Sequence, residues 1–232
     1  MLEILYQDEY IIAINKPSGL LVHKSFYARD SKEYAIQELR NQIGGQHVYP
    51  VHRLDRKTSG VLLFALDKEV LKIMNERFAT RDVEKKYLAI LRGWSPEELT
   101  IDYDLTNDDG VTQNAITYFH CLQKTEITLA FNNKPTSRYC LVEAIPKTGR
   151  MHQLRKHFKH IFHPILGSRP HGCNKQNKLW LEHYELKGMM LHAHQLNFNH
   201  PISNERLDVN AKINVEFSRI GTILKLDLSK YK

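Results

Sequence analysis

The chain contains little cysteine: Cys121, Cys140 and Cys173 are the three among 232 residues, and they form no C-x-x-C pair. Thiols spaced so widely argue against a disulfide framework and against a cysteine-based zinc site, and they suit a reduced compartment. No uninterrupted apolar run is long enough to span a bilayer. The N-terminal residues also lack the basic segment and apolar stretch of a signal peptide. We therefore expect a cytoplasmic protein without membrane contact.

The sequence also lacks a glycine-rich phosphate loop of Walker or Rossmann spacing, so a nucleotide cofactor is not indicated. Clustered carboxylates, which a metal-dependent nuclease requires, are not evident either. Histidines do recur, as His157, His160 and His163, with His152 one to two turns earlier. Because no Asp, Glu or Cys accompanies them at ligand spacing, phosphate contacts or helix-surface positions are favoured over a metal. We expect neither metal nor cofactor.

Positive charge is in excess, since 33 Lys and Arg against 26 Asp and Glu give a formal net charge of +7 and a pI near 9.2. A basic balance of this size suggests a polyanionic partner, usually RNA or DNA. The alternative, a net positive charge that serves only solubility, explains the value of +7 about equally well. The chain is 42% hydrophobic and 25% charged, which is ordinary for a globular protein with a full core.

Strand patterns outnumber helix patterns along the chain. Leu2–Tyr6 and Tyr10–Asn15 predict a hairpin, and the segment from Asp67 predicts a capped helix. The acidic stretch Glu97–Gln113, rich in Asn and Asp, predicts a mobile surface connection. Most neighbouring strands are expected to be antiparallel. The fold class predicted is α+β, a mixed and mostly antiparallel sheet with flanking helices, as a single domain over residues 1–232 without a separate N-terminal RNA-binding module.

One nine-residue run, from His52 to Gly60, sets the carboxylate of Asp55 among three cations. Such neighbours hold a carboxylate ionised, and an ionised carboxylate facing a substrate can act as nucleophile, base or electrostatic stabiliser. The alternative is a solvated turn whose charges neutralise one another. Leu54 and the apolar residues 61–64 bracket the run, which favours a loop held against a core.

Two further strings carry candidate chemistry. On a helix that starts near Arg150, Arg155 lies at the edge of the buried stripe, from which a guanidinium can reach a carboxylate. Spacing alone favours the alternative of a basic helix that exposes its charges or binds phosphates. Tyr87 follows two lysines at a strand start and is a candidate for stacking on a base. Most tyrosines in such places are core or rim residues.

The strings H-R-L-D-x-x-T-S-G, K-x-Y and T-G-R-x-H-Q-L-R resemble motifs of the RluA-type pseudouridine synthases, and Lys16–Gly19 is similar to a fourth motif, K-P-x-G. The resemblance implies that Asp55 is the essential residue and that Arg155 forms a salt bridge with it. It implies that Tyr87 stacks on the target uracil and Leu154 packs beneath it, in a central RNA-binding cleft. His192 matches a recurring position and is expected to support the site.

The resemblance also implies the reaction, in which a flipped uridine is isomerised to pseudouridine without metal, cofactor or nucleotide. Whether Asp55 attacks carbon or removes a sugar proton stays open. The opening residues and Pro135–Tyr139 are similar to members that act on position 65 of tRNA. Ribosomal RNA as substrate, or RNA binding without catalysis, are the alternatives; a monomer is expected. The predicted substrate-binding residues are His52, Arg53, Leu54, Arg150, His152 and Leu154, with Arg53 filling the place that the flipped base leaves.

One position departs from the family pattern. The family usually has Asp where this chain has Ser168, and tyrosine is common where His171 stands. We expect the change to affect a loop near the RNA without touching Asp55, Tyr87 or Arg155.

Overall fold

The computed structural model describes residues 1–23 and 33–232. These residues form two compact units. The first comprises Met1–Lys85 and Ala193–Ile213, and the second comprises Lys86–His192 and Asn214–Lys232. The chain therefore leaves the first unit at Lys85 and returns to it at Ala193. No helix among the described residues has the length and apolar character needed to cross a membrane.

The first unit is built on an antiparallel sheet. The predicted hairpin is confirmed, because β1 pairs with β2 and β2 pairs in turn with β4, both antiparallel. All seven residues of β4 are buried, as its apolar sequence predicts. The end of β11, from Ala193 on, pairs with β12. The elements that contribute to this unit are β1 Glu3–Gln7, β2 Ile11–Lys16, α1 Ala35–Gln42, β3 Tyr49–Pro50, β4 Ser59–Ala65, α2 Lys68–Thr80, β11 Leu191–Asn199 and β12 Arg206–Asn210.

The helices of this unit begin differently. At α2 the carboxylate of Asp67 accepts a hydrogen bond from the Val70 backbone N–H at 2.8 Å, which confirms the predicted cap. Helix α1 has Tyr34 at its N-cap without a side-chain cap bond. In the sequence, Asp30 with Glu33 predicts a capping arrangement for this helix, and Asp30 lies outside the described residues. The core cluster against which α2 packs includes Ile11, Ala13, Val61, Leu63, Val70, Met74 and Phe198.

The second unit has a sheet in the order β5-β10-β9-β6, with every pair antiparallel. Its core joins the sheet to α3 through Phe119, which meets Phe158 edge-on with ring centroids 5.2 Å apart. The elements that contribute to this unit are β5 Glu84–Arg92, β6 Glu98–Asp102, β7 Leu105–Thr106, β8 Thr112–Gln113, β9 Ile116–Ile127, β10 Ser137–Pro146, α3 Gln153–His160, α4 Asn174–Tyr184 and α5 Val215–Ile223. The mixed α+β class and the mostly antiparallel pairing are confirmed.

The prediction for Glu97–Gln113 was wrong. This stretch contains β6, which pairs with β9 from Glu98 opposite His120 to Asp102 opposite Ile116, and also the short β7–β8 pair. Among the β6 residues only Ile101 is buried. The β6 sequence Glu-Leu-Thr-Ile-Asp does alternate polar and apolar residues, but the signal covers five residues inside an acidic, Asn- and Asp-rich stretch. Its place as an edge strand is decided by pairing with β9.

Gly60, the second residue of β4, allows a close approach within the first unit. Its φ is +110°, and a Cβ placed there would lie 2.1 Å from the Ala193 carbonyl oxygen. We expect Gly60→Ala to lower the free energy of unfolding by about 3 kcal/mol or more, since both backbone strain and overlap with a backbone atom must be relieved. Urea denaturation measures this.

Gly45→Ala is the matched control, because Gly45 has φ +91° with no atom within 4 Å of the added Cβ. It is expected to cost only about 1 kcal/mol, the strain of a positive φ. Equal losses in the two variants would contradict the importance of the close approach.

Candidate active site

The loop that carries Asp55 is tied to the turn that follows β2. The Gly19 N–H donates to the Arg56 carbonyl at 2.8 Å, and the Arg56 Nε returns a bond to the Gly19 carbonyl at 2.9 Å. Ser18 Oγ donates to the Lys57 carbonyl at 2.9 Å. Two segments nearly forty residues apart therefore behave as one piece, which a solvated turn would not do.

Lys16 lies at the centre of this piece. Its side chain is fully buried, and Nζ donates to the carbonyls of Pro17 at 2.9 Å, Leu20 at 2.8 Å and Arg56 at 3.2 Å. Burial lowers the pKa of Lys16 to about 7, while the Asp55 carboxylate raises it. Three carbonyl acceptors match the three protons that only the ammonium form has. Lys16 thus places a buried positive charge beside the Asp55 loop.

Asp55 itself is half-buried at the head of a turn, whose Thr58 N–H donates to the Asp55 carbonyl at 3.0 Å. Leu54 before it and Thr58 after it are buried, at 7% and 2% exposure. Arg53 is exposed. The loop therefore anchors at both sides and presents Asp55 and Arg53 toward the surface of the first unit, as the apolar residues around the run predicted.

His52 has a structural partner. Its Nε2 accepts the Leu63 backbone N–H at 3.2 Å, and its ring stacks on Phe78 with centroids 5.3 Å apart. Burial, and then the Lys85 charge, lower the pKa of His52 to about 3. The ring is therefore neutral near neutral pH, with an unprotonated Nε2 that suits its role as acceptor.

The second unit holds the remaining predicted residues on and around α3. Gln153 organises the turn before the helix: its Oε1 accepts from Thr148 Oγ1 at 2.7 Å and from the Arg150 N–H at 3.0 Å. Its Nε2 donates to the Ile116 carbonyl and to Thr117 Oγ1, both at 3.0 Å. One buried amide thereby fixes the start of α3 to β9.

Arg155 is buried, at 6% exposure, two residues into the helix from Gln153. Its Nε donates to Ser168 Oγ at 3.1 Å, and its guanidinium also donates to the Arg169 carbonyl. The expectation that position 168 does not touch Arg155 was therefore wrong. A chain turn after α3 brings Ser168 back over the helix, and a hydroxyl meets the guanidinium where the family usually has a carboxylate.

His152 and Arg150 flank this helix start. His152 Nδ1 lies 3.2 Å from His171 Nε2, and burial followed by the charge of Arg155 lowers the pKa of His171 to about 4. Arg150 Nε donates to the Asn114 carbonyl at 2.9 Å. Leu154 is buried among the core residues of the second unit. All four predicted residues of the T-G-R-x-H-Q-L-R string thus surround one turn.

Tyr87 lies on β5 opposite Ala144 of β10 and is half-buried against the core cluster. A ring with one side on the core and an accessible remainder suits a stacking surface. His192 is fully buried and lies near Phe217, with ring centroids 6.3 Å apart.

The recurring histidines do not share one environment. His157 is fully buried with Nε2 3.0 Å from the Tyr103 carbonyl, so both expectations for it, a phosphate contact or a helix-surface position, were wrong. His163 Nδ1 lies 3.0 Å from the Arg92 carbonyl. Within residues 1–23 and 33–232, no group of three or more His, Cys, Asp or Glu side chains is arranged to hold a metal ion.

The predicted site residues divide between the units. His52, Arg53, Leu54 and Asp55 belong to the first, and Tyr87, Arg150, His152, Leu154 and Arg155 belong to the second. Those of the first unit lie on one loop, and those of the second lie at the start of α3 except for Tyr87, which lies on β5. The salt bridge between Asp55 and Arg155 stays a prediction.

Sequence reasoning assigned no role to Lys16, Gln153 or Ser168 in holding the site. For Lys16 a signal was present, because a lysine directly before a Pro-Ser-Gly turn at the end of an apolar strand points into the turn it begins. For Ser168 the signal was the departure from the family pattern.

The chain is similar in sequence and in structure to known proteins. The model of the RNA pseudouridylate synthase family matches residues 10–160. The tRNA pseudouridine synthase C of Pasteurella multocida is 46% identical over 239 residues, covering 98% of each chain, and that of Vibrio cholerae is 46% identical over 222 residues, covering 91% of each. The solved structure of human RNA pseudouridylate synthase domain containing 4 has a TM-score of 0.75 at 28% identity, covering 97% of this chain and 94% of that one.

The Lys16 bonds generate a stability prediction. Lys16→Met keeps the approximate length of the side chain but removes the ammonium's bonds to the Pro17, Leu20 and Arg56 carbonyls, of which the Arg56 carbonyl keeps the Gly19 N–H. The free energy of unfolding should therefore fall by about 2–4 kcal/mol in urea denaturation. Lys68→Met at an exposed position of α2 is the control and should change it by less than about 0.5 kcal/mol. An Lys16 variant as stable as this control would contradict the prediction.

His52 generates a pH prediction. Because its pKa is lowered from 6.5 to about 3, the unfolded chain binds the proton first, and the folded state loses stability as pH falls from about 6.5 toward 3. His52→Gln retains an acceptor for the Leu63 N–H and removes the titration. Its unfolding free energy should depend less on pH, by up to about 1.4 kcal/mol per pH unit between pH 4 and 6.

Urea denaturation across this pH range measures the difference. The same substitution at the exposed His47 should leave the wild-type pH dependence in place. A His52→Gln slope equal to that of the wild type would show that the ring takes up its proton in the folded state.

Proposed function

The chain belongs to the RNA pseudouridylate synthase family, and from this premise we propose that it isomerises one uridine of tRNA to pseudouridine. The observation that carries the substrate is the similarity, over nearly the whole length, to relatives named tRNA pseudouridine synthase C. The resemblance of the opening residues and of Pro135–Tyr139 to members that act on position 65 supports uridine 65 as the target. We further propose that the chain acts as a cytoplasmic monomer.

The chemistry requires no net redox change. The bond between C1′ and N1 of the uridine breaks, the uracil rotates, and C5 bonds to C1′ while the C5 proton is released and N1 gains a proton. Asp55 is the proposed driver of the cleavage, either as nucleophile at carbon or as base at the sugar. A carboxylate contributes most when its position is fixed before substrate arrives. The hydrogen bonds from Lys16, Gly19 and Arg56 support that role.

The target base must leave its stack, because its glycosidic carbon is out of reach inside a helix. We propose that the half-buried ring of Tyr87 stacks on the flipped uracil and that Leu154 forms the opposite side of the pocket. We propose that Arg155, which also donates to Ser168 Oγ, forms a salt bridge with Asp55 and orients it. The exposed Arg53 would occupy the place the base leaves.

The remaining residues divide by their contacts. His52 and Leu54 hold the loop from the protein side, since one accepts the Leu63 N–H and the other is buried. Arg150 and His152 lie at the start of α3 and are proposed to meet the RNA backbone. Phosphate contacts of this kind make affinity fall with salt.

Asp55→Asn tests the reaction. Turnover should fall below detection, at least about a thousandfold, while the Kd for tRNA stays within about threefold, because the amide keeps the shape but loses the charge and basicity. Tritium release from tRNA labelled at uridine C5 measures turnover, since each isomerisation frees that hydrogen. Asp67→Asn, which retains an N-cap at α2, is the matched control and should keep wild-type turnover.

Wild-type turnover in Asp55→Asn would overturn the catalytic assignment.

Carbodiimide adducts read as reverse-transcription stops then identify the substrate in RNA from cells with and without the gene. Loss of one tRNA stop at position 65 supports the proposal. A stop lost from ribosomal RNA would retain the reaction and replace the substrate, and unchanged RNA would favour a binding protein without catalysis.

A further inference from the structure

Two residues after the last residue of α3 stands a phenylalanine in an unfavourable backbone conformation. Phe162 has φ +63°, in the left-handed region. Its N–H donates to the Lys159 carbonyl at 3.1 Å, and the His163 N–H donates to the Phe158 carbonyl at 2.9 Å. These two bonds form a Schellman motif, in which the left-handed position is usually glycine because a side chain there is strained.

Burial of the phenyl ring does not compensate for this backbone strain, because Phe162 is 87% exposed. A glycine at 162 would relieve the backbone strain, and a polar residue would avoid the exposed apolar ring. The fold alone therefore gives no reason for an aromatic side chain at this place. A ring held out into solvent on a rigid helix end is suited to contact with a partner.

The charges around the ring indicate what that partner is. Residues 144–181 contain no Asp or Glu, and Lys159 is exposed in the last turn of α3. On the same turn, His160 stacks on Tyr103 with ring centroids 3.6 Å apart. Because Tyr103 stands between the exposed Asp102 and Asp104, this stack is not counted with the cationic surface, and Lys159 is the cation assigned to the ring. The Lys and Arg residues of the acid-free segment are Lys147, Arg150, Arg155, Lys156, Lys159, Arg169, Lys175 and Lys178.

Aromatic rings interleaved with cations are the chemistry by which proteins hold unpaired bases, with the rings stacking and the cations meeting phosphates. We propose that Phe162 stacks on an unpaired base of the RNA substrate, with Lys159 on an adjacent phosphate. This contact rests on the proposed function only for the identity of the RNA. It adds a binding point that none of the catalytic strings contains.

Phe162→Gly separates binding from folding. Because glycine suits the left-handed position, the Tm should stay unchanged or rise by about 2–4 °C. The Kd for tRNA should nevertheless rise roughly tenfold, the loss expected for one base–aromatic stack. Fluorescence anisotropy with labelled tRNA measures the Kd, and Phe162→Trp, which keeps an aromatic face, should retain wild-type affinity.

The dependence of tRNA affinity on salt concentration distinguishes the contribution of the Phe162 ring from that of the Lys159 ammonium. Phe162→Gly should keep the wild-type slope of log Kd against log salt, whereas Lys159→Gln should reduce that slope by about 1, because one phosphate contact is lost. Val215→Ser, at an apolar residue of the same unit that is 85% exposed, is the matched control and should leave the Kd unchanged.

Several outcomes would overturn the proposal. A Kd of Phe162→Gly for tRNA within twofold of the wild-type value would show that Phe162 does not stack on a base. A lowered Tm of this variant would show that the ring packs on the protein. A change of oligomeric state in sedimentation would show that the ring meets a second copy of the chain. Affinity is measured apart from turnover, so a wild-type protein that binds tRNA without releasing tritium would refute the proposed reaction and still test Phe162.

Discussion

The ammonium of Lys16 is the interaction on which the Asp55 loop depends. It is buried, and its three protons are taken by carbonyls from both segments of the loop assembly. An ammonium in the interior is costly unless its hydrogen bonds are complete, so the carbonyls cannot move away without a large loss. The cation thereby fixes the backbone that presents Asp55 and also supplies a nearby positive charge. On the far side of the loop, Gly60 fixes the path by its approach to Ala193.

In the second unit a neutral side chain, rather than a charged one, fixes the backbone around the candidate site residues. Gln153 uses its amide oxygen and nitrogen to join the turn before α3 to β9. A buried amide with every bond made restricts geometry as strongly as a charge does, without the cost of burying one. Two residues further along α3, the buried Arg155 donates to the Ser168 hydroxyl. A hydroxyl holds a guanidinium more weakly than a carboxylate would, which suits an arginine proposed to engage another carboxylate.

Rigidity and exposure coincide at the places proposed to meet RNA. Arg53 follows His52, which accepts the Leu63 N–H, and Phe162 follows a helix that is closed by hydrogen bonds to the Phe158 and Lys159 carbonyls. Groups held in this way lose little conformational freedom on binding, so more of each contact contributes to affinity. The same logic explains why a strained backbone is tolerated at Phe162: the helix packs through Phe158, and its stability supports the unfavourable residue beyond its end.

Local patterns in the sequence determined the β1–β2 hairpin, the Asp67-capped helix α2 and the buried strand β4, because side-chain periodicity and cap chemistry act over a few residues. They also identified Asp55 and Arg155 as residues of specific sequence motifs that contain candidate catalytic groups. Tertiary structure alone decided that β6 is an edge strand and that His157 is buried. It also decided that Lys16 bonds to Arg56, and that Ser168 meets Arg155. Each of these joins residues that local periodicity treats as unrelated, and such contacts follow from which faces pack together.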